Sequence, residues 1–116
     1  MSTRSGGRVH SVPVCFAVVR DKIVSPIDHK PKSGVKMARV TNIERNNNVT
    51  LLLDRWDEDW DRLAWLMIQG TAVVDLDASD EDMRAINQRY PQYWSDEHHD
   101  ALIRIAPERL VWWSWT

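Results

Sequence analysis

The chain has 116 residues, 43% of them hydrophobic and 28% charged, with a formal net charge of -2. That describes one globular domain with a modest core, small enough to gain from a partner subunit, and its mild acidity excludes a general nucleic-acid or membrane-surface binder. One cysteine, Cys15, excludes an internal disulfide and a cysteine-rich zinc site and agrees with a reducing compartment.

No apolar run approaches the ~20 residues needed to cross a bilayer, and the opening MSTRSGGR lacks the apolar centre of a signal peptide. A cytoplasmic protein is expected. Residues 1–7, small and polar, are expected to form a disordered N-terminus ahead of a single domain over 8–116. Arg8 to Val19 (RVHSVPVCFAVV) is rich in valine and reads as a strand buried on both faces. Pro13 interrupts it, marking an edge, a bulge, or a place where a ligand meets the backbone. The turn Arg20-Asp21-Lys22 leads to a second short strand, Ile23 to Ser25, predicted to form a hairpin with the first.

Ser25 to Arg45 (SPIDHKPKSGVKMARVTNIER) gathers Lys30, Lys32, Lys36, Arg39 and Arg45 against only Asp28 and Glu44, a concentrated positive charge in an acidic chain. Pro31, Ser33 and Gly34 break the backbone just before Met37, Val40 and Ile43, whose three-residue spacing predicts a short helix. Cations in a first helical turn oppose the macrodipole, and the first amides lack backbone partners. The loop therefore suits a phosphate or carboxylate ligand. A solvated surface loop is the plainer alternative.

Asn46-Asn47-Asn48 is a polar stop. Val49 to Trp56 is predicted as the third strand, followed by an acidic turn and a long strand from Leu63 to Val74 with a bulge at Gly70. Ser79 with Asp82 forms a capping-box start for a helix carrying Met83, Ile86 and Tyr90 on its apolar stripe, ended by Pro91. Ala101 to Trp115 closes the sheet as a last strand bent or bulged at Pro107. The order β-β-α-β-β-α-β predicts a mainly β (α+β) small barrel with two short helices.

The sequence contains no GxGxxG, GxxxxGK[ST], HExxH or GxSxG. His98 and His99, between Asp96-Glu97 and Asp100, read as a surface loop rather than a metal site. No general acid-base pair emerges, so no catalytic side chain is assigned. What remains is the basic loop, the proline-broken strand, and seven tryptophans, a residue type that favours interfaces and clefts. A nucleotide-like cofactor held by its phosphate, with its ring on apolar strand surface, accounts for all three. It would leave the protein to position it beside a small-molecule substrate.

Three stretches carry a family resemblance: RVHSVPVCFAVVRDKIVSPIDHKPK, then RVTNIERNNNVTLLLDRWDEDWDRLAWLMIQGTAVV, and RYPQYW with APERLVWWSW. Together they resemble the flavin and deazaflavin oxidoreductases of the pyridoxamine 5'-phosphate oxidase type, in particular an actinobacterial branch that uses coenzyme F420. The resemblance implies an FMN-binding-like split β-barrel, a homodimer with two cofactor sites at the subunit interface. It places Lys30, Lys32, Ser33, Lys36 and Arg39 where the cofactor phosphate and acidic tail are held. It places Val12, Pro13 and Val14, with Ser25, Pro26 and Ile27, where backbone meets the ring system. Trp56, Trp112 and Trp113 become the partner's wall of the pocket. F420-dependent reduction of an organic acceptor is the implied activity, with Ser25 or His29 as the candidate to protonate the product. FMN-dependent chemistry, a non-catalytic coenzyme carrier and a haem or tetrapyrrole binder using His10 or His29 are the alternatives. Relatives carry a helix and a first barrel strand ahead of Gly6, where this chain is expected either to begin late or to have lost an element, and loss of a barrel strand would expose a sheet edge.

Overall fold

The structure is a computed structural model that describes residues 1–27, 38–91 and 101–115. Seven strands form one antiparallel sheet: β1 (Ser2–Ser5), β2 (Arg8–Ser11), β3 (Ala17–Val19), β4 (Lys22–Pro26), β5 (Asn48–Arg55), β6 (Ala64–Asp75) and β7 (Leu102–Ser114). Helix α1 (Ala38–Arg45) precedes β5, and α2 (Asp80–Arg89) lies between β6 and β7. The strand order is β2-β1-β5-β6-β7-β4-β3. β2 and β3 therefore occupy opposite edges although only residues 12–16 separate them. A flat seven-stranded sheet is about 29 Å wide, whereas that connection reaches about 20 Å at full extension. The sheet must curl until its edges approach, which makes it a split barrel.

Two expectations about the N-terminal region are corrected. Residues 1–7 are not disordered, and a first strand is present. Ser2–Ser5 pairs with Arg8–Ser11 through a two-residue Gly6-Gly7 loop, with Gly6 at a left-handed φ of 59°. Ser2 also pairs with Thr50, which covers the start of β5. Thr3 is buried, its hydroxyl accepting from Asn42 Nδ2 at 3.0 Å, so a polar strand is admitted to the core because its polar atom has a partner. The second correction concerns Arg8 to Val19, which is two strands on opposite edges. The strand paired with β4 is Ala17–Val19 alone.

The remaining elements lie close to their expected bounds. The register shift falls between Gln69 and Gly70: Gln69 faces Arg109 and Gly70 faces Pro107, which leaves Glu108 as the extra residue on β7. The bulges expected at Gly70 and at Pro107 are one irregularity seen from its two strands. At Gly70 a side chain would run into the Ala106 carbonyl, so the close approach of β6 and β7 requires glycine.

Alternation along β4 and β7 divides the core. Ile23, Ile103 and Ile105 point into the barrel with Leu51, Ile68 and Ala72, where α1 inserts Val40 and Ile43. Val24 and Leu102 point outward and are covered by Ile86 of α2, beside Ala17 and Val19. Thus α2 seals the outside of the β3–β4–β7 corner. It starts on the expected capping box: the Ser79 hydroxyl accepts from the Asp82 N–H, and Asp82 accepts from the Ser79 N–H.

Candidate functional site

Residues 12–16 bridge the seam of the barrel. Val12 is tied in both directions to Met1, its N–H donating to the Met1 carbonyl at 3.0 Å and its own carbonyl accepting from the Met1 amino group at 2.8 Å. The Cys15 carbonyl accepts from the Ser25 hydroxyl at 2.8 Å, and the Phe16 N–H donates to the Tyr90 hydroxyl at 3.2 Å. The Arg89 guanidinium stacks 4.5 Å over the Phe16 ring. Between these anchors Pro13 has no N–H, and the N–H and carbonyl of Val14 find no partner among the described residues. A short run of peptide is therefore held at both ends and left open in the middle, an arrangement suited to hydrogen-bonding the edge of a planar ligand.

Ser25, Pro26 and Ile27 are brought to the same seam, but by different means than expected. All three are buried, and the Ile27 N–H donates to the Ala101 carbonyl at 3.1 Å. The Ser25 side chain is fully enclosed and its proton is committed to Cys15, so it fixes the seam and cannot protonate a product. Arg39, the second residue of α1, lies in a first turn with no acidic residue. Its Nε is buried without a hydrogen-bond partner. Burial, and secondarily the Arg39 charge, hold the Met1 amino group below its usual pKa, and that amino group touches Val12. Arg39 and Val12 thus both stand near Met1. Lys30, Lys32, Ser33, Lys36 and His29 lie outside the described residues.

The tryptophans stand elsewhere. Ser25 pairs with Ile103 on β7, and Trp113 is ten residues further along that strand, about 33 Å away. Trp112 and Trp113 thus stand far from Ser25 along β7, and Trp56 follows the end of β5. They sit at the far end of the β5–β6–β7 arm, where Trp65, Leu66, Trp112 and Trp113 surround a cleft of about 350 Å³ that also presents Asp54 and Arg55. Trp56 and Trp112 are more than 70% exposed. Trp115 meets Trp60 and Trp113 edge to face, with ring centroids 6.4 and 6.3 Å apart. Among the described residues no group of His, Cys, Asp and Glu could hold a metal ion, and no helix is long and apolar enough to cross a membrane.

No protein-family model matches the sequence, and no curated protein matches it. Solved structures do match. A Listeria innocua protein provisionally assigned as a pyridoxamine 5'-phosphate oxidase superposes with a TM-score of 0.67 at 20% identity, over 95% of this chain and 82% of its own. A Bacteroides thetaiotaomicron protein provisionally assigned to 5-nitroimidazole antibiotic resistance gives 0.72 at 15% identity, over 96% and 72%. The fold is the pyridoxamine 5'-phosphate oxidase-like split barrel. An FAD-binding protein from Mycobacterium smegmatis shares it at a TM-score of 0.55 and 17% identity, over 96% of this chain and 79% of that one. Identities this low establish the fold, so the ligand of this split barrel has to be argued from its own residues.

Sequence reading misses two residues at the seam and one in the tryptophan cleft. The sequence places Tyr90 on the apolar stripe of a helix, yet its hydroxyl and the Arg89 guanidinium clamp Phe16 across 74 and 73 positions of chain. No local pattern signals such a contact. Trp65 is different: strict pairing from the bulge outward sets it opposite Trp113, so the β6–β7 register would have disclosed it.

Proposed function

We infer that the chain is one subunit of a homodimeric split-barrel protein that binds coenzyme F420 and serves hydride transfer between the deazaflavin and an organic acceptor. The observation that carries this reading is the pairing, at the barrel seam, of an open peptide at Pro13–Val14 with the unpartnered, buried Nε of Arg39. A buried donor without an acceptor is costly, and an anionic group supplies that acceptor. A ligand that is planar at one end and anionic at the other fits both features. Lys30, Lys32 and Lys36 extend the positive charge along the chain, more than a single phosphate requires, which favours a coenzyme with an acidic tail.

When bound, the reduced deazaflavin supplies the hydride. The protein supplies orientation: the seam peptide sets the ring edge, and Arg39 with the loop cations holds the charged end. The exposure of Trp56, Trp112 and Trp113 argues for the dimer, in which a second subunit would bring them over the first subunit's seam. An apolar surface of this extent also calls for a partner.

The test is to titrate the protein separately with coenzyme F420, FMN and haem while following tryptophan fluorescence, and to repeat this with Arg39→Ala. Quenching by F420 that weakens about tenfold or more in the variant is expected. Stronger binding of FMN would instead favour the flavin reading, to which the FAD-binding neighbour gives some support. Equal F420 titrations for both proteins would remove Arg39 from the site.

A further inference from the structure

A second concave surface shares no lining residue with the tryptophan cleft. β1 and β5 pair through the single couple Ser2 and Thr50, so the β1–β2 hairpin diverges from the sheet beyond Ser2 and leaves a cleft of about 510 Å³. This is within the range of small-molecule sites. Its lining includes Gly70, at the bulge between β6 and β7. Across it runs a polar row. Ser2 faces Thr50, Thr50 faces Gln69, and Gln69 faces Arg109, one residue from each of four adjacent strands on the same face. The next residues outward on that face, Leu52, Met67 and Val111, are apolar. Packing therefore gives no reason for the polar row.

The bulge supplies the charges. Because Glu108 is the extra residue on β7, both Glu108 and Arg109 reach the wall of the cleft, and Arg4 stands on the β1 wall opposite. Neither guanidinium has a hydrogen bond or ion pair among the described residues. At the paired row β5 and β6 hold the backbones of β1 and β7 about 14 Å apart, and Arg4 lies beyond Ser2 where the hairpin diverges, which leaves room for a small molecule between two long cationic side chains. Amide and hydroxyl groups of Asn48, Thr50 and Gln69 line the space between.

We propose that this cleft binds a small dianion, its two negative charges taken by Arg4 and Arg109 and its remaining oxygens by the polar row. A dicarboxylate and inorganic phosphate share that chemistry, so both are used as probes. In NMR titrations of the full chain with succinate and with phosphate, the side-chain amide signals of Asn48 and Gln69 should move saturably, while the Trp112 and Trp113 indole signals stay in place. Whichever probe binds more tightly identifies the class. Arg109→Ala and Arg4→Ala should each weaken binding about tenfold or more, since each removes a charge-assisted pair. Glu108→Gln should tighten it. All three side chains are exposed, so the variants should melt at the parent temperature without ligand, which shows that they remain folded. The proposal is overturned if neither probe moves these signals, if neutral succinamide moves them equally, or if both arginine variants bind as the parent does.

Discussion

Arg104 carries more of the fold than its half-exposed position suggests. Its guanidinium meets Asp82 twice, at 2.6 and 3.1 Å, and Asp75 at 3.0 Å, while Asp82 is almost fully enclosed. Arg104→Met would leave the Asp82 charge buried without its partner and should cost about 3–5 kcal/mol in urea unfolding. Arg104, aided by the Ser79 bonds and opposed by burial, holds the Asp82 carboxyl below the usual carboxylate range. On acidification the unfolded chain therefore takes up this proton first. The contribution is complete above about pH 4 and fades as pH falls below that. Melting temperature should drop along this acid limb in the parent, and Asp82→Asn should start lower and show a shallower drop. At Gly70 the constraint is steric. Gly70→Ala forces a methyl group onto the Ala106 carbonyl and should destabilise by about 1–3 kcal/mol or more, read as a lowered denaturant midpoint.

Helix α2 shows what local chemistry reveals. Its capping box, acidic first turn and Met83–Ile86–Tyr90 stripe are all written within twelve residues, and the structure follows them. Ile86→Ala should cost about 2–5 kcal/mol, because the side chain is the outer cover for Val24 and Leu102. Ser79→Ala should cost about 1 kcal/mol by removing the cap. Arg8–Val19 shows where local reading ends. An apolar run reads the same whether its two halves join one ladder or two, and only long-range pairing sends Val9 to one edge of the sheet and Val18 to the other. The N-terminal strand was obscured for another reason. Its Gly-Gly loop is a hairpin signal, but Ser2, Thr3 and Arg4 look like solvated chain until Asn42, 39 residues away, gives Thr3 a partner.

The assembled protein divides between an enclosed barrel and an apolar arm. Six of its seven tryptophans, all those among the described residues, stand on or beside β5, β6 and β7, and each is at least 36% exposed. The paired state proposed above should appear in sedimentation equilibrium as twice the chain mass of 13.6 kDa. Trp112→Arg should shift it toward the single-chain mass while leaving α2 and the barrel core folded, and a single-chain mass for the parent would refute the dimer. The sequence displays these indoles and the cation Arg39 without their geometry, because their placement depends on how β5, β6 and β7 pair over long range. The seam has one further effect. β3 is three residues long and laddered on one side only, so the lowest-energy opening of the barrel should run beside it. Amides of Ala17–Val19 should exchange with deuterium well before those of Ile68–Ala72. A closed cylinder would have to break ladder bonds to admit a flat guest, whereas this one can part along a line where none has to break.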